Sequence, residues 1–318
     1  MVHAVQVVPP TRRRRALGAH LGLASALGFL APALLIFGVF VLYPMVTAFS
    51  YSLFSWSGTA RGGFAGLANF VSLFTQEPYA TEVPRAFGHN LLIFVGTVIG
   101  QNTIGLALAH ALHHTTRGRR LFQTLYAMPY LVSPVVIGYL WTLLLSPTFG
   151  PVNKVLEAIG LGQLAVPWLG NPDTALWVVV LVAVWQWIGF PVLLYGAALG
   201  GVPPELTEAA SLDGAGGWRR FRHITLPLIT PAITTVTVLG FIAAMESFAL
   251  PYAIGGSSGT PAGATDVLSL VFYRTAFESG DSNGIGLSSA LATCLFVFIF
   301  GVAVLATRLM RKREESLT

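Results

Sequence analysis

The sequence predicts an all-α integral membrane protein of six transmembrane helices, with a cytoplasmic helix–turn–helix loop between the fourth and fifth spans. Two observations carry that class. Of the 318 residues, 54% are hydrophobic and only 10% are charged, and the mean hydropathy is +0.70. A soluble domain carries charge on about a quarter of its residues, so lipid is the main solvent here. The charges also avoid six intervals: 16–60, 86–116, 121–153, 174–204, 223–245 and 282–307. Each exceeds the roughly 20 apolar residues that an α-helix needs to cross a bilayer's hydrocarbon.

The spans read as helices because apolar residues run on without alternating, and because a helix satisfies its own backbone hydrogen bonds in lipid. They are expected near 21–43, 90–112, 122–145, 175–200, 226–247 and 286–307. Together they make one membrane domain over 21–307, between a tail at 1–20 and a tail at 308–318. The first span follows Arg12, Arg13, Arg14 and Arg15 and contains APA at 31–33, an arrangement like a signal peptide with its cleavage site. Its apolar run continues to Tyr43, longer than a secretory core, so it reads as an uncleaved span.

Three longer loops lie opposite the termini. The first, 44–89, holds SYSLFSW and GFAGLANFVSLF and is expected to fold on the membrane face. The second, 146–174, contains one short amphipathic helix around 151–159. The third, 248–285, opens on a charge-free stretch with Pro251 and GGSSGTPAG, which predicts a flexible turn rather than a seventh span. In DVLSLVFYRTAF, the spacing of Val267, Leu270, Val271 and Phe277 predicts a helix along the surface.

With six crossings, both termini share one side. That side holds fourteen basic residues: Arg12 to Arg15, Arg117, Arg119, Arg120, Arg219, Arg220, Arg222, Arg308, Arg311, Lys312 and Arg313. Only Arg61, Arg85, Lys154 and Arg274 are on the other, so the termini are expected in the cytoplasm. The net charge of +5 is therefore a topology signal. No basic stripe interleaved with aromatics points to nucleic acid. Cys294 is a lone cysteine, which excludes an intrachain disulfide and reads as a packed apolar thiol.

The connector 203–224 departs from this pattern. Pro203 and Pro204 end the fourth span, and Pro204 with Glu205 starts a helix through a fixed φ and an acid at the positive dipole end. ELTEAASL continues it, and Asp213-Gly214 stops it. After Gly216 and Gly217, WRRFRHI begins a second short helix. Leu206, Ala209, Ala210, Leu212, Trp218 and Phe221 can share one apolar side. A solvated link would explain the charges alone. It would not explain a smooth alanine face, a glycine-fixed bend, or Trp218 and Phe221, which water does not favour. The segment reads as a docking element for another protein.

Glu208-Ala209-Ala210 is followed after three residues by Gly214, after nine more by Ile224, and then by Leu226-Pro227. At every fixed position this resembles the EAA loop of ABC importer permeases. MPYLVSPVVIGYLWTLLLSPTFGPVN at 128–153, DGAGGWRRFRHITLPLITPAI at 213–233, HN at 89–90 and YRTAF at 273–277 look like the carbohydrate, maltose-type, branch. The likeness runs from about 29 to 307. It departs at AIGGSSGTPAG, 253–263, where the family commonly has a tighter T-x-G-G-P turn.

The resemblance implies a pore-forming subunit of the bacterial plasma (inner) membrane. It implies pairing with a second homologous permease and two cytoplasmic ATPases, and delivery of a sugar, a di- or oligosaccharide, by an extracytoplasmic binding protein. Residues 203–224 would then be the coupling loop. Glu208, Ala209 and Ala210 would face the ATPase with Asp213, Gly214 would make the bend, and Trp218 and Phe221 would be apolar anchors. No cofactor is expected in this chain. It has no G-x-x-x-x-G-K-[ST] phosphate loop, so ATP and Mg belong to partner subunits.

Other chemistry is thin. GSSG at 256–259 offers a serine, but the seven histidines, at 3, 20, 89, 110, 113, 114 and 223, lie in the N-terminal tail or near span ends, so no base is in view. His113 and His114 beside Arg117 read as headgroup neighbours. Glu246 is the one acid expected within a span. It is either a pathway group accepting from sugar hydroxyls or an acid snorkelling to the interface. Trp185, Gln186, Trp187 and Phe190 are candidates for the same pathway, against packed or lipid-facing aromatics. Within the family, glycerol phosphate or another polyol is an alternative cargo. Outside it, the alternatives are an ion-coupled secondary carrier with Glu246 as its proton site and a membrane scaffold.

Overall fold

Among residues 23–113 and 117–315, which this computed structural model describes, helix dominates the backbone. The tail at 1–20, with Arg12 to Arg15, and His114 lie outside the described residues. The chain divides into two units, 1–47 and 48–318. In the first, α1 (Leu23–Phe37) passes through a π-helical turn at Gly38–Leu42 into α2 (Tyr43–Tyr51). The Tyr43 N–H reaches back to the Gly38 carbonyl, and this wider turn accommodates Pro44, which has no N–H to give. The helix therefore runs on to Tyr51 instead of ending near 43. Phe29, Leu35 and Phe40 are exposed along it, as lipid-facing side chains are.

In the second unit the first loop folds into a hairpin, β1 (Phe54–Ser57) against β2 (Ala60–Phe64), and a helix, α3 (Ala68–Thr75). Then comes α4 (Tyr79–His113). It begins well before residue 90 because Glu82 and Arg85 sit on its first turns: the charges mark where hydrocarbon ends, not where the helix does. Next are α5 (Arg119–Ala127), a 3-10 turn at Pro129–Leu131, α6 (Pro134–Leu144) and α7 (Pro151–Ala158), the last as expected. A second long stretch is α8 (Pro172–Trp187) and α9 (Gly189–Gly200). The connector holds α10 (Pro204–Leu212) and α11 (Gly217–Arg220), and a π-helical turn at Phe221–Thr225 leads into α12 (Leu226–Met245). The chain closes with α13 (Ala249–Gly255), α14 (Leu268–Phe277) and α15 (Gly284–Glu315).

Among the described residues four helices are long and apolar enough to cross a membrane, and up to six if each of two bent pairs is one crossing. The expected third span, 122–145, is one such pair, bent by 96°. Pro129 and Pro134 withhold two N–H groups, and Val132 and Ser133 are pushed to extended ψ angles of 141° and 133°. The Gln186 Nε2 group of α8 donates to the Val132 carbonyl at 3.0 Å, in the extended break between α5 and α6. The fourth span, 175–200, is itself bent by 44° at Ile188, just before Pro191.

Helix α4 is the hub of the second unit, touching α3, α8, α9, α12 and α14. Gly96 and Gly100 make this possible. A Cβ on either would come within 2.5 Å of Val180 Cγ1 or 2.8 Å of Val184 Cγ2 on α8, so only small residues at i and i+4 permit the approach. Around this contact Ile93, Val179, Val182, Ala244 and Leu270 form one core cluster. Ala109, Tyr195, Leu199 and Ile229 form another, where the Tyr195 hydroxyl donates to Asn102.

The third loop corrects two expectations. Val267, Leu270 and Val271 are fully buried while Phe277 is exposed, so α14 packs into the protein instead of lying along its surface. Nor is the glycine-rich stretch a flexible turn. Asp266 is 0% exposed, and Arg274 Nη2 lies 2.8 Å from both Asp266 Oδ2 and Glu82 Oε2. Arg274 also donates to the Ser257 carbonyl at 2.5 Å, and His89 Nδ1 sits 2.8 Å from the Asp266 carbonyl. Burial works against the Arg274 charge, but the hydrogen bonds to Asp266 and Glu82 outweigh it and hold its pKa above the usual arginine range. Removing one partner of such a buried pair costs about 3–5 kcal/mol. Asp266→Ala is accordingly expected to lower the thermal unfolding midpoint of the detergent-solubilised protein by several degrees; an unchanged midpoint would contradict the clamp.

Candidate functional site

Two regions collect the candidate residues, one at each end of α12. At the first, α10 and α11 meet in an elbow. Gly214 takes φ +76°, the left-handed conformation that ends a helix and that side chains disfavour. Its N–H donates to the Ser211 carbonyl at 3.1 Å and that of Ala215 to the Ala210 carbonyl at 2.9 Å, which closes the turn with its own backbone. Arg220 Nη1 reaches across to Ser211 Oγ at 2.6 Å and ties the two arms together. The bend is a hydrogen-bonded corner.

The apolar side chains expected on one side of the elbow differ in exposure. Leu212 is 90% exposed and Trp218 71%, forming an outward crest with the exposed Leu206. Phe221 turns inward, its ring edge-on to His110 of α4 at 5.2 Å and stacked on Trp218 at 5.6 Å. Glu208 and Ala209 are exposed, Ala210 is half-buried, and Asp213 is the exposed C-cap that follows α10. At Phe221–Thr225 the Leu226 N–H bonds to the Phe221 carbonyl, a π-turn that precedes Pro227 as the earlier one precedes Pro44. Helical hydrogen bonding is thereby kept from the elbow into α12.

At the far end of α12 lies a cavity of about 560 Å³, well within the size of small-ligand sites. Trp187 and Phe190 line it, and so does Glu246. Trp185 and Gln186 do not. Trp185 packs edge-on against Trp141 at 5.6 Å, and Gln186, 1% exposed, is occupied with the Val132 carbonyl. The wall includes residues that sequence reasoning missed: Tyr130, Phe248, Thr97 and Gln101. The Tyr130 ring stands edge-on to Trp187 at 5.1 Å and stacks on Phe190 at 6.3 Å, making an aromatic corner.

Asn90, Thr97 and Gln101 are all buried on α4 at i, i+7 and i+11, one helix face. That polar stripe within an apolar span was the available signal. Asn90 anchors the end of the cavity: its Nδ2 donates to the Ala244 carbonyl at 2.7 Å and its Oδ1 accepts from the Leu268 N–H at 2.9 Å. Glu246 itself ends α12, its N–H bonded to the Ile242 carbonyl at 3.0 Å. An acid at the negative end of a helix is disfavoured by roughly 0.3–1 kcal/mol. Its exposed carboxylate also borders a second, more apolar hollow of about 440 Å³ between α12, α14 and α15. Among the described residues no cluster of His, Cys, Asp and Glu could hold a metal ion.

Residues 101–315 match the family described as binding-protein-dependent transport system inner membrane component. The chain belongs to that family. It is a membrane transport component, not an enzyme, of the ABC permease type. Among its relatives, the probable ABC transporter permease protein YurN of Bacillus subtilis (strain 168) is 33% identical, over 90% of this chain and 96% of that one. The probable starch degradation products transport system permease protein AmyD of Thermoanaerobacterium thermosulfurigenes is 30% identical, over 90% and 94%. The sn-glycerol-3-phosphate transport system permease protein UgpA of Yersinia pestis is 33% identical, over 89% and 92%. A solved bacterial ABC transporter involved in the import of the acidic polysaccharide alginate shares the fold. Its TM-score is 0.76 at 24% identity, covering 90% of this chain and 95% of the other.

For a permease, a cavity of this kind should hold water. In a Cys294→Ala background, Ala243→Cys on the cavity wall is expected to react with a hydrophilic maleimide, while Val182→Cys in the core is not. Equal protection of the two thiols would contradict an open cavity.

Proposed function

We propose that this chain is one of two permease halves in an ATP-driven sugar importer of the bacterial plasma membrane. Its permease domain spans 21–307, between cytoplasmic tails at 1–20 and 308–318. Counting each bent pair as one crossing supports six spans, and the distribution of Lys and Arg supports a cytoplasmic position for both termini and the elbow. Two ATPase chains supply bound ATP and Mg, a second homologous permease completes the channel, and an extracytoplasmic binding protein delivers cargo at the Glu246 end. Relatives named for starch degradation products support a sugar.

Residues 203–224 are the coupling loop, and one observation carries that role: a hydrogen-bonded corner presents Leu212 and Trp218 to water at the end of the helix that lines the cavity. Large apolar side chains so exposed at a rigid tip are what a partner's cleft would bury. Glu208, Ala209 and Asp213 flank the crest and give it a polar rim. Phe221, turned inward, holds the elbow against α4 through His110. The cavity with Glu246, Trp187 and Phe190 is the substrate pathway. Trp185 and Gln186 are supports behind it. A secondary carrier would need its own proton relay, and Glu246 is the sole acid on this cavity wall among the described residues.

Two variants test the coupling role. Gly214→Pro, which cannot adopt φ +76°, is expected to abolish ATP-dependent uptake and loosen the ATPase while the protein still inserts. Trp218→Ala, truncating an apolar anchor, is expected to weaken ATPase association by about 2 kcal/mol, roughly thirty-fold, measured with the purified ATPase by surface binding. Normal uptake in the first, with normal affinity in the second, would refute the coupling role.

A further inference from the structure

We infer that the cavity selects cargo without negative charge, and that Glu246 is the residue that imposes the selection. The inference rests on the pathway role proposed above and deepens it. Two features make the cavity wall negative. Glu246 is its one charged residue and, among the described residues, the Glu246 carboxylate has no hydrogen bond or ion pair to neutralise it. Tyr130, Trp187, Phe190 and Phe248 line the same wall, and aromatic ring faces attract cations and repel anions. Against these, no Lys, Arg or His lines the cavity among the described residues.

The Asn90 amide does not offset this field. Its Nδ2 group donates to the Ala244 carbonyl at 2.7 Å and the Met245 carbonyl at 3.4 Å, and Asn90 does not line the cavity, so it points no free N–H at a substrate anion. What remains for a ligand is the Glu246 carboxylate for hydroxyl or ammonium donors, the Thr97 hydroxyl oxygen, whose proton already goes to the Ile93 carbonyl, the Gln101 amide, which donates and accepts, and ring faces for C–H surfaces. A phosphate or a uronic acid would meet repulsion with no counter-charge; a neutral or amino sugar would find partners. Glycerol phosphate is thereby set aside as cargo.

The test is equilibrium dialysis on the complex purified from its host with all co-purifying chains, using maltose as a neutral probe and digalacturonate as an anionic probe of similar size. The wild type should bind maltose about ten times more tightly than digalacturonate, the scale of one like-charge contact at a partly screened site. Glu246→Gln should narrow that gap, and Glu246→Lys should reverse it. Ala243→Trp, which fills the cavity, should abolish binding of both. Equal binding of the two probes, lost in Ala243→Trp, would overturn the charge selection alone. No binding of either probe, or binding untouched by Ala243→Trp, would overturn the pathway role along with it.

Discussion

The helical run from Gly217 to Met245 is the constraint on which the rest of the molecule depends. Its 29 residues make a rod of about 44 Å at 1.5 Å per residue. A rod with its hydrogen bonds in place cannot shorten, so what is done to one end is felt at the other. One end is tied to the elbow through Arg220 and Ser211 and to α4 through Phe221 and His110. The other end carries Glu246 into the cavity wall and is capped by Asn90, again on α4. The π-turn before Pro227 is one step in its regularity, bridged by the Leu226 to Phe221 hydrogen bond, and Pro231 inside α12 withholds a further N–H. In the coupling role proposed above, this rod is the link between the partner ATPases and the substrate path.

Lipid adds a second demand, that polar groups be paired within the protein. The bent pair α5–α6 has an extended break at Val132 and Ser133, and Gln186 of α8 donates to the Val132 carbonyl there. The end of α12 is met by Asn90, which also holds the start of α14. Outside the spans, Asp266 is enclosed by Arg274, with Arg85 at 3.7 Å, and Arg274 in turn holds Glu82. A chain with few charges has used several of them to fasten its loops to α4.

Much of this was legible in the sequence, because hydrocarbon imposes length and apolarity on a span and because Gly and Pro punctuate a chain. The charge-free intervals anticipated the long apolar helices, of which four are long enough to cross a membrane among the described residues, and Asp213-Gly214 found the corner, where a left-handed residue closes α10. Segment 151–159 was likewise found from its apolar spacing. What the sequence left hidden depended on partners far away along the chain. Gln186 read as a pathway amide because nothing local reveals that Val132, 54 positions earlier, lacks a donor. The stretch GGSSGTPAG read as flexible because the Arg274 side chain that pins Ser257 comes from the next helix. Phe277 shared a spacing with Val267, Leu270 and Val271 yet points outward, since burial of α14 is set by α4 and α15 and not by its own periodicity. Of the cavity, Glu246, Trp187 and Phe190 were found, while Tyr130 and Phe248 emerge only when separate segments converge.

The central claim is that elbow and cavity helix move as one body. Electron-spin distance measurement in the assembled transporter, with labels at Leu212 and Leu239 in a Cys294→Ala background, addresses it directly. Both positions are exposed, one on the elbow crest and one on α12 near the cavity. A single narrow distance, the same with and without nucleotide, is the expected result. A broad distribution, or one that shifts when ATP binds, would show a slack joint and contradict the account.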